Sequence, residues 1–130
     1  MAVADCGGLP VAVRVTSASP NESTLVEQTL DGRHVSQLPK RLIGDKAYDS
    51  DSLDRRMQER GVEMIAPNRR KRTKTQDGRS LRRYKKRWKV ERLFAWLKNF
   101  RRIASRWERH AENFLGMVQL GCMLILLRHL

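Results

Sequence analysis

The order of short apolar runs over residues 1–66 limits the possible folds more than any other feature of this sequence. Met1 to Asp5 is short and apolar, Cys6-Gly7-Gly8 follows, and Leu9 to Val15 places Val11, Val13 and Val15 in alternation with Ala12 and Arg14. Alternation on either side of a Gly-Gly turn predicts a β-hairpin. Pro20-Asn21 ends that unit. Asn21 or Ser23 can cap a helix that carries Leu25, Val26, Thr29 and Leu30 and stops at Gly32. Arg41 to Gly44 reads as a short buried strand with Asp45 at its C-terminal end. Asp51 or Ser52 can cap a second helix, with Leu53 and Met57 one turn apart and Gly61 as its stop. Val62 to Ala66 is a further strand ended by Pro67. The order β-β-α-β-α-β predicts an α/β fold with a mixed sheet and flanking helices.

The second half has a different character. Residues 67–80 show no periodicity, and Asn68-Arg69-Arg70-Lys71-Arg72-Thr73-Lys74-Thr75 reads as a basic loop, either solvated surface or a direct contact to phosphate. A long helix is expected from Leu81 to about Trp107, within a segment ending at Arg109. Leu93, Leu97, Phe100, Ala104 and Trp107 recur at helical steps and read as a core-packing stripe. A last helix over residues 113–128 is apolar on most sides and should pack inside the fold or against a partner.

Charge divides the chain at the same place. Residues 1–66 hold 8 Lys and Arg against 10 Asp and Glu, a net of −2, whereas residues 67–130 hold 19 against 4, a net of +15. The overall charge of +13 favours a polyanionic partner such as nucleic acid. At 130 residues and 40% hydrophobic composition the chain has room for one domain with a core. Two cysteines, Cys6 and Cys122, make no disulfide framework, and residues 1–15 lack the pattern of a signal peptide. The most apolar stretch, Phe114 to Leu127, is shorter than the ~20 residues a membrane span needs. A cytoplasmic protein is expected, associated with the nucleoid when bound to DNA, with no membrane partner.

Tyr84, Arg87, Glu91 and Lys98 lie at offsets that place them within one helix face about 60° wide, apart from the apolar stripe. Glu91 is the only acid between Asp77 and Glu108. Alone it reads as a surface acid paired with its basic neighbours. Asp45 gives it a second reading, because ligands and catalytic groups collect at the C-terminal ends of strands in α/β sheets. Two carboxylates from different elements can hold Mg²⁺, which fills its octahedron with phosphates and water. Two such ions would suit phosphodiester transfer, with the surrounding basic side chains gripping the nucleic-acid backbone.

Leu42-Ile43-Gly44-Asp45-Lys46-Ala47-Tyr48-Asp49-Ser50 resembles the second-aspartate motif of the DDE transposases of bacterial insertion sequences. Tyr84, Arg87, Glu91 and Lys98 match that family's Tyr-x2-Arg-x3-Glu-x6-Lys signature, and Phe94 to Ala104, the terminal apolar helix and Asp5 to Pro10 are similar to it as well. The resemblance implies a ribonuclease H-like fold and DNA cleavage and strand transfer with Mg²⁺ or Mn²⁺. It implies that Asp45 and Glu91 are catalytic metal ligands and that Tyr84, Arg87 and Lys98 contact DNA phosphates. Arg69, Arg70, Lys71 and Arg72 fall in the basic insertion that precedes the Glu-bearing helix and are expected to contact DNA.

The family's first Asp lies on a strand before the hairpin, so the chain reads as a catalytic domain lacking its first strand. Asp5 belongs instead to the strand end beside the turn. The expectation is a fragment inactive alone, which self-associates or pairs with an N-terminal part. The alternative is a non-enzymatic basic DNA- or RNA-binding protein, or a truncated regulator of transposition.

Overall fold

The computed structural model describes residues 1–17, 19–69 and 85–130. The hairpin forms as its alternation requires. β1 (Ala2–Ala4) pairs antiparallel with β2 (Pro10–Val13), with an irregularity between Val3 and Ala4. Gly8 adopts φ +84°, the left-handed conformation that the tight turn needs. α1 (Glu22–Asp31) follows, capped by the Asn21 side chain, which accepts from the Ser23 N–H at 3.1 Å, and stopped at Gly32. Val26, Thr29 and Leu30 are its buried face.

β3 (Arg41–Ile43) and β4 (Glu63–Ile65) are parallel, in the register Leu42 opposite Met64. Parallel neighbours need a crossover, and α2 (Asp51–Glu59) supplies it. Its cap is Ser50, one residue before the expected pair, with Oγ accepting from the Leu53 N–H. Leu53 and Met57 are fully buried as their spacing predicts.

The expected single mixed sheet is not continuous. The four strands form two two-stranded sheets, β1-β2 and β3-β4. The hairpin satisfies itself locally and the β-α-β unit does the same. No described residue supplies a strand that would join them. The two sheets nevertheless share one face. Val3 and Ala12 of the hairpin pack in the same cluster as Met64 of β4, under Val26 and Leu30 of α1 and Leu53 and Met57 of α2. Val13, on the opposite face of the hairpin, packs with Leu93, Leu97, Val118, Cys122 and Ile125 from the C-terminal helices.

Those helices depart from the sequence reading. The long helix expected to run to Trp107 breaks into α3 (Trp88–Lys98) and α4 (Arg101–Ala104), and residues 81–84 lie outside those described. Phe100 is extended, with φ −84° and ψ 113°. The break turns Phe100 and Ile103 onto α5 (Ala111–Leu127), where Ile103 Cδ1 lies 2.7 Å from where a β-carbon on Gly121 would sit. A straight helix would carry both side chains past that seat. The apolar stripe is therefore core only in part: Leu93 and Leu97 are buried, whereas Ala104 and Trp107 are exposed. α5 buries one face and leaves Leu120, Met123, Leu124 and Leu127 exposed. Among the described residues no helix is long and apolar enough to cross a membrane.

Candidate functional site

Asp45 lies two residues after the end of β3 and starts a 3-10 turn over Lys46–Tyr48, its Oδ1 accepting from the Ala47 N–H at 2.8 Å. One oxygen thus fixes the turn while the carboxylate stays only half-buried. The close approach of the turn to the sheet depends on Gly44. A β-carbon there would lie 2.7 Å from the Tyr48 ring and 2.8 Å from Met64 Cε. Burial, together with the nearby Glu22 and Asp45 carboxylates, pushes the Tyr48 phenol up to about 12. The turn is held from its far side by Arg69. Its backbone N–H donates to the buried Asp49 at 2.8 Å, and its guanidinium donates to the carbonyls of Lys46 at 3.1 Å and Ala47 at 2.8 Å. Arg69, one of the residues expected to contact DNA, thus braces the segment that carries Asp45. Arg70, Lys71, Arg72 and Tyr84, the other expected DNA contacts before α3, lie outside the described residues.

Glu91 projects from the first turns of α3, where a carboxylate also complements the positive end of the helix dipole. It is exposed and lies 3.3 Å from Arg87 NH2 across one helical turn, so the pairing with a basic neighbour read from the sequence is present. Lys98 closes the same helix, about 10 Å further along the axis at 1.5 Å per residue. The next side chains anchor α3 to the hairpin. Lys89 Nζ donates to the Cys6 carbonyl and Arg92 NH2 to the Gly7 carbonyl. The Arg92 guanidinium lies 4.9 Å from the Trp88 ring centroid and 5.0 Å from that of Trp96. Neither of the two hydrogen bonds to the hairpin was legible in the sequence, because each joins residues more than eighty positions apart.

A cavity of about 1190 Å³ connects the two carboxylates. Its walls are β1 on one side and β3 on the other, and Asp45, Glu91, Lys86, Arg87 and Lys89 all border it. Lys98 is not on its wall. Asp5 is, but its Oδ1 already accepts from the N–H groups of Gly7 and Leu9 at 2.7 and 2.8 Å. Asp5 is therefore a turn-forming residue, as its position beside the hairpin turn suggested. Two carboxylates from separate elements suit a hard cation such as Mg²⁺ that takes its remaining ligands from phosphate and water. Among the described residues no group of three His, Cys, Asp or Glu side chains is placed to hold a metal ion.

An α/β domain that lines one cavity with two carboxylates from separate elements and with Lys86, Arg87 and Lys89 is the setting in which the comparisons with known proteins fall. Residues 1–127 match the family described as the Transposase DDE domain, and the chain belongs to that family. It is 36% identical over 131 residues to a Burkholderia cepacia protein named as a transposase for insertion sequence element IS402, covering 95% of this chain and 59% of that protein. It is 34% identical over 134 residues to a Brucella ovis protein named as a transposase for element IS6501, covering 98% of this chain and 95% of that one. The chain therefore spans about three-fifths of the Burkholderia relative's length. No solved structure matches it.

Proposed function

We propose that this chain acts in DNA transposition and carries two of the acidic groups of a metal-dependent site for DNA cleavage and strand transfer. The observation that supports this most is the shared cavity, which brings the strand-end Asp45 and the helix-borne Glu91 to one basic-rimmed opening. Asp45 and Glu91 would hold Mg²⁺ or Mn²⁺, and the ion would supply charge stabilisation to the attacking and leaving oxygens of a phosphodiester. The chain's own contributions are positional. The Ala47 N–H orients Asp45, Arg69 braces its turn, and Arg87 orients Glu91 while adding positive charge toward a DNA phosphate. In this reading Tyr84 and Lys98 contact the backbone to either side.

The same reading gives the cavity a second purpose. Met1 and Arg14 exchange backbone hydrogen bonds at 2.8 and 2.9 Å, so alternation turns the N–H and C=O groups of Ala2 and Ala4 away from β2. Gly44 N–H donates to Ile65 O and Lys40 O accepts from Glu63 N–H, so the backbone groups of Arg41 and Ile43 turn away from β4. These edges, which no described strand pairs, border one cavity. A further strand, supplied by an N-terminal part or another polypeptide, would join the two sheets into the mixed sheet of a ribonuclease H-like fold and bring another acidic ligand to Asp45 and Glu91.

The test measures DNA binding with and without Mg²⁺ for the wild type, Asp45→Ala and Glu91→Ala. The expected result is that Mg²⁺ tightens wild-type binding and that either substitution removes this increment while salt-sensitive binding persists. Wild-type binding indifferent to Mg²⁺, with both variants binding as well or better, would instead favour a non-enzymatic binder or truncated regulator.

A further inference from the structure

Among the described aromatic side chains, Trp107 is the most exposed. It is 78% exposed, although it continues the helical spacing of the core residues Leu93 and Leu97. Apolar packing does not explain an indole in that position, and the surrounding loop is built to keep it there. Residues 105–110 connect α4 to α5. Arg106 Nε donates to the Glu108 carbonyl at 3.0 Å and its NH2 donates to the Arg109 carbonyl at 3.4 Å, while its guanidinium lies 5.3 Å from the Phe114 ring centroid. The backbone N–H of Trp107 donates to Glu108 Oε2 at 3.3 Å, and that carboxylate lies 3.8 Å from Arg102 NH1 with its side chain only 11% exposed. The loop is thus braced from both sides of the tryptophan, and its one acid is turned inward and paired. The exposed basic residues nearest to the tryptophan in the chain are Arg101, Arg102, Arg106 and Arg109, with Glu112 the exposed acid that follows them.

We infer that Trp107 is a stacking platform for an unpaired nucleotide base, with the flanking arginines on the adjoining phosphates. An open π-face accepts any base, and arginines around it supply the backbone attraction that single-stranded segments require. Pre-bracing the loop removes much of the ordering cost of binding. A protein partner fits less well. Tryptophan and arginine do mark protein hot spots, but these sit in a water-excluding ring of contacts, and the exposed residues nearest in the chain here are mainly arginines. The inference rests on the nucleic-acid reading above and assigns it a site away from the Asp45–Glu91 cavity, since Trp107 does not border that cavity.

The test compares the full chain with Trp107→Ala, Trp107→Phe and Arg101→Ala. The probes are a blunt duplex and the same duplex with a single-stranded overhang, titrated across a range of salt concentrations. The expected wild-type result is tighter binding of the overhang duplex. Trp107→Ala should lose that preference, on the order of 10-fold or more for a stacked base, with the blunt-duplex affinity and the salt slope unchanged. Trp107→Phe should keep part of the preference, and Arg101→Ala should lower the salt slope for both probes. Thermal unfolding of Trp107→Ala should match the wild type, because the side chain is exposed. Equal wild-type affinity for both probes, or a preference that survives Trp107→Ala, would overturn the stacking role while leaving the DNA reading intact. An absence of salt-dependent binding to either probe would overturn both.

Discussion

At the scale of single residues, the segment around Asp45 shows how a small number of side chains fixes a carboxylate. Gly44 lets Tyr48 lie against the strand, Tyr48 covers the turn, and Arg69 holds the carbonyls on its outer side. Asp45, Glu91 and Arg87 were legible in the sequence because their placement follows from a strand end and from helical spacing. The bracing role of Arg69 was not, since an arginine in a basic run gives no local signal that it turns back on carbonyls more than twenty residues upstream. Tyr48 provides a pH test of this packing. Its phenol ionises near pH 10 in an unfolded chain, and burial raises that to about 12 in the fold. The folded state therefore holds a proton that the unfolded state has released between those values, so stability falls as pH rises through this window. Below pH 10 both states are protonated and the group has no pH effect. Urea unfolding of the wild type and Tyr48→Phe from pH 9 to 12 should show the wild type losing more stability over that interval. Parallel pH profiles would mean that the phenol is not buried as described.

At the scale of elements, both halves of the chain followed their sequence patterns wherever the pattern was local. Caps, glycine stops and alternation predicted β1 to β4, α1 and α2 with small shifts at their ends. The break between α3 and α4 was not legible because its cause is remote. Asn99 and Phe100 carry no proline or glycine, and the apolar spacing continues through them. What ends the helix is the seat that α5 offers to Phe100 and Ile103, made possible by the missing side chain at Gly121. Tertiary packing overrides local propensity here, as it often does. Gly121→Val should therefore act on this junction. Its β-carbon would lie 2.7 Å from Ile103 and 3.2 Å from Leu97, both near enough to force repacking. Overpacking of this kind costs roughly 1–3 kcal/mol. Chemical denaturation should show that loss, and Ile103→Ala in the same chain should restore part of it by vacating the contested space. A double variant no more stable than Gly121→Val alone would place the cost elsewhere.

At the scale of the whole molecule, two sheets lie under one pair of helices with unpaired edges facing the same cavity. An exposed edge is a template for another strand, and among the described residues no strand pairs with the cavity-facing edges of β1 and β3. At about 1190 Å³ the space is larger than the roughly 300–1,000 Å³ typical of a small-molecule cleft, as an extended polypeptide requires. The alternation of the strands makes a sharp prediction for amide hydrogen exchange. Val3 and Leu42 direct their N–H groups into their own sheets, whereas Ala4 and Ile43 direct theirs into the cavity. In the 130-residue chain Ala4 and Ile43 should exchange rapidly beside slowly exchanging Val3 and Leu42. Peptides tiling the part of the Burkholderia relative that this chain does not match should slow Ala4 and Ile43 together if one of them occupies the gap. Ile43→Pro removes the donor that faces the cavity and leaves the β3-β4 ladder bonds in place, so it should abolish the peptide effect and preserve the fold. Protection of Ala4 and Ile43 in the isolated chain that rises with its concentration would mean that a second copy fills the space. Equal protection of all four amides at high dilution would mean that the two edges are already paired with each other, and the proposed strand would have no place to enter.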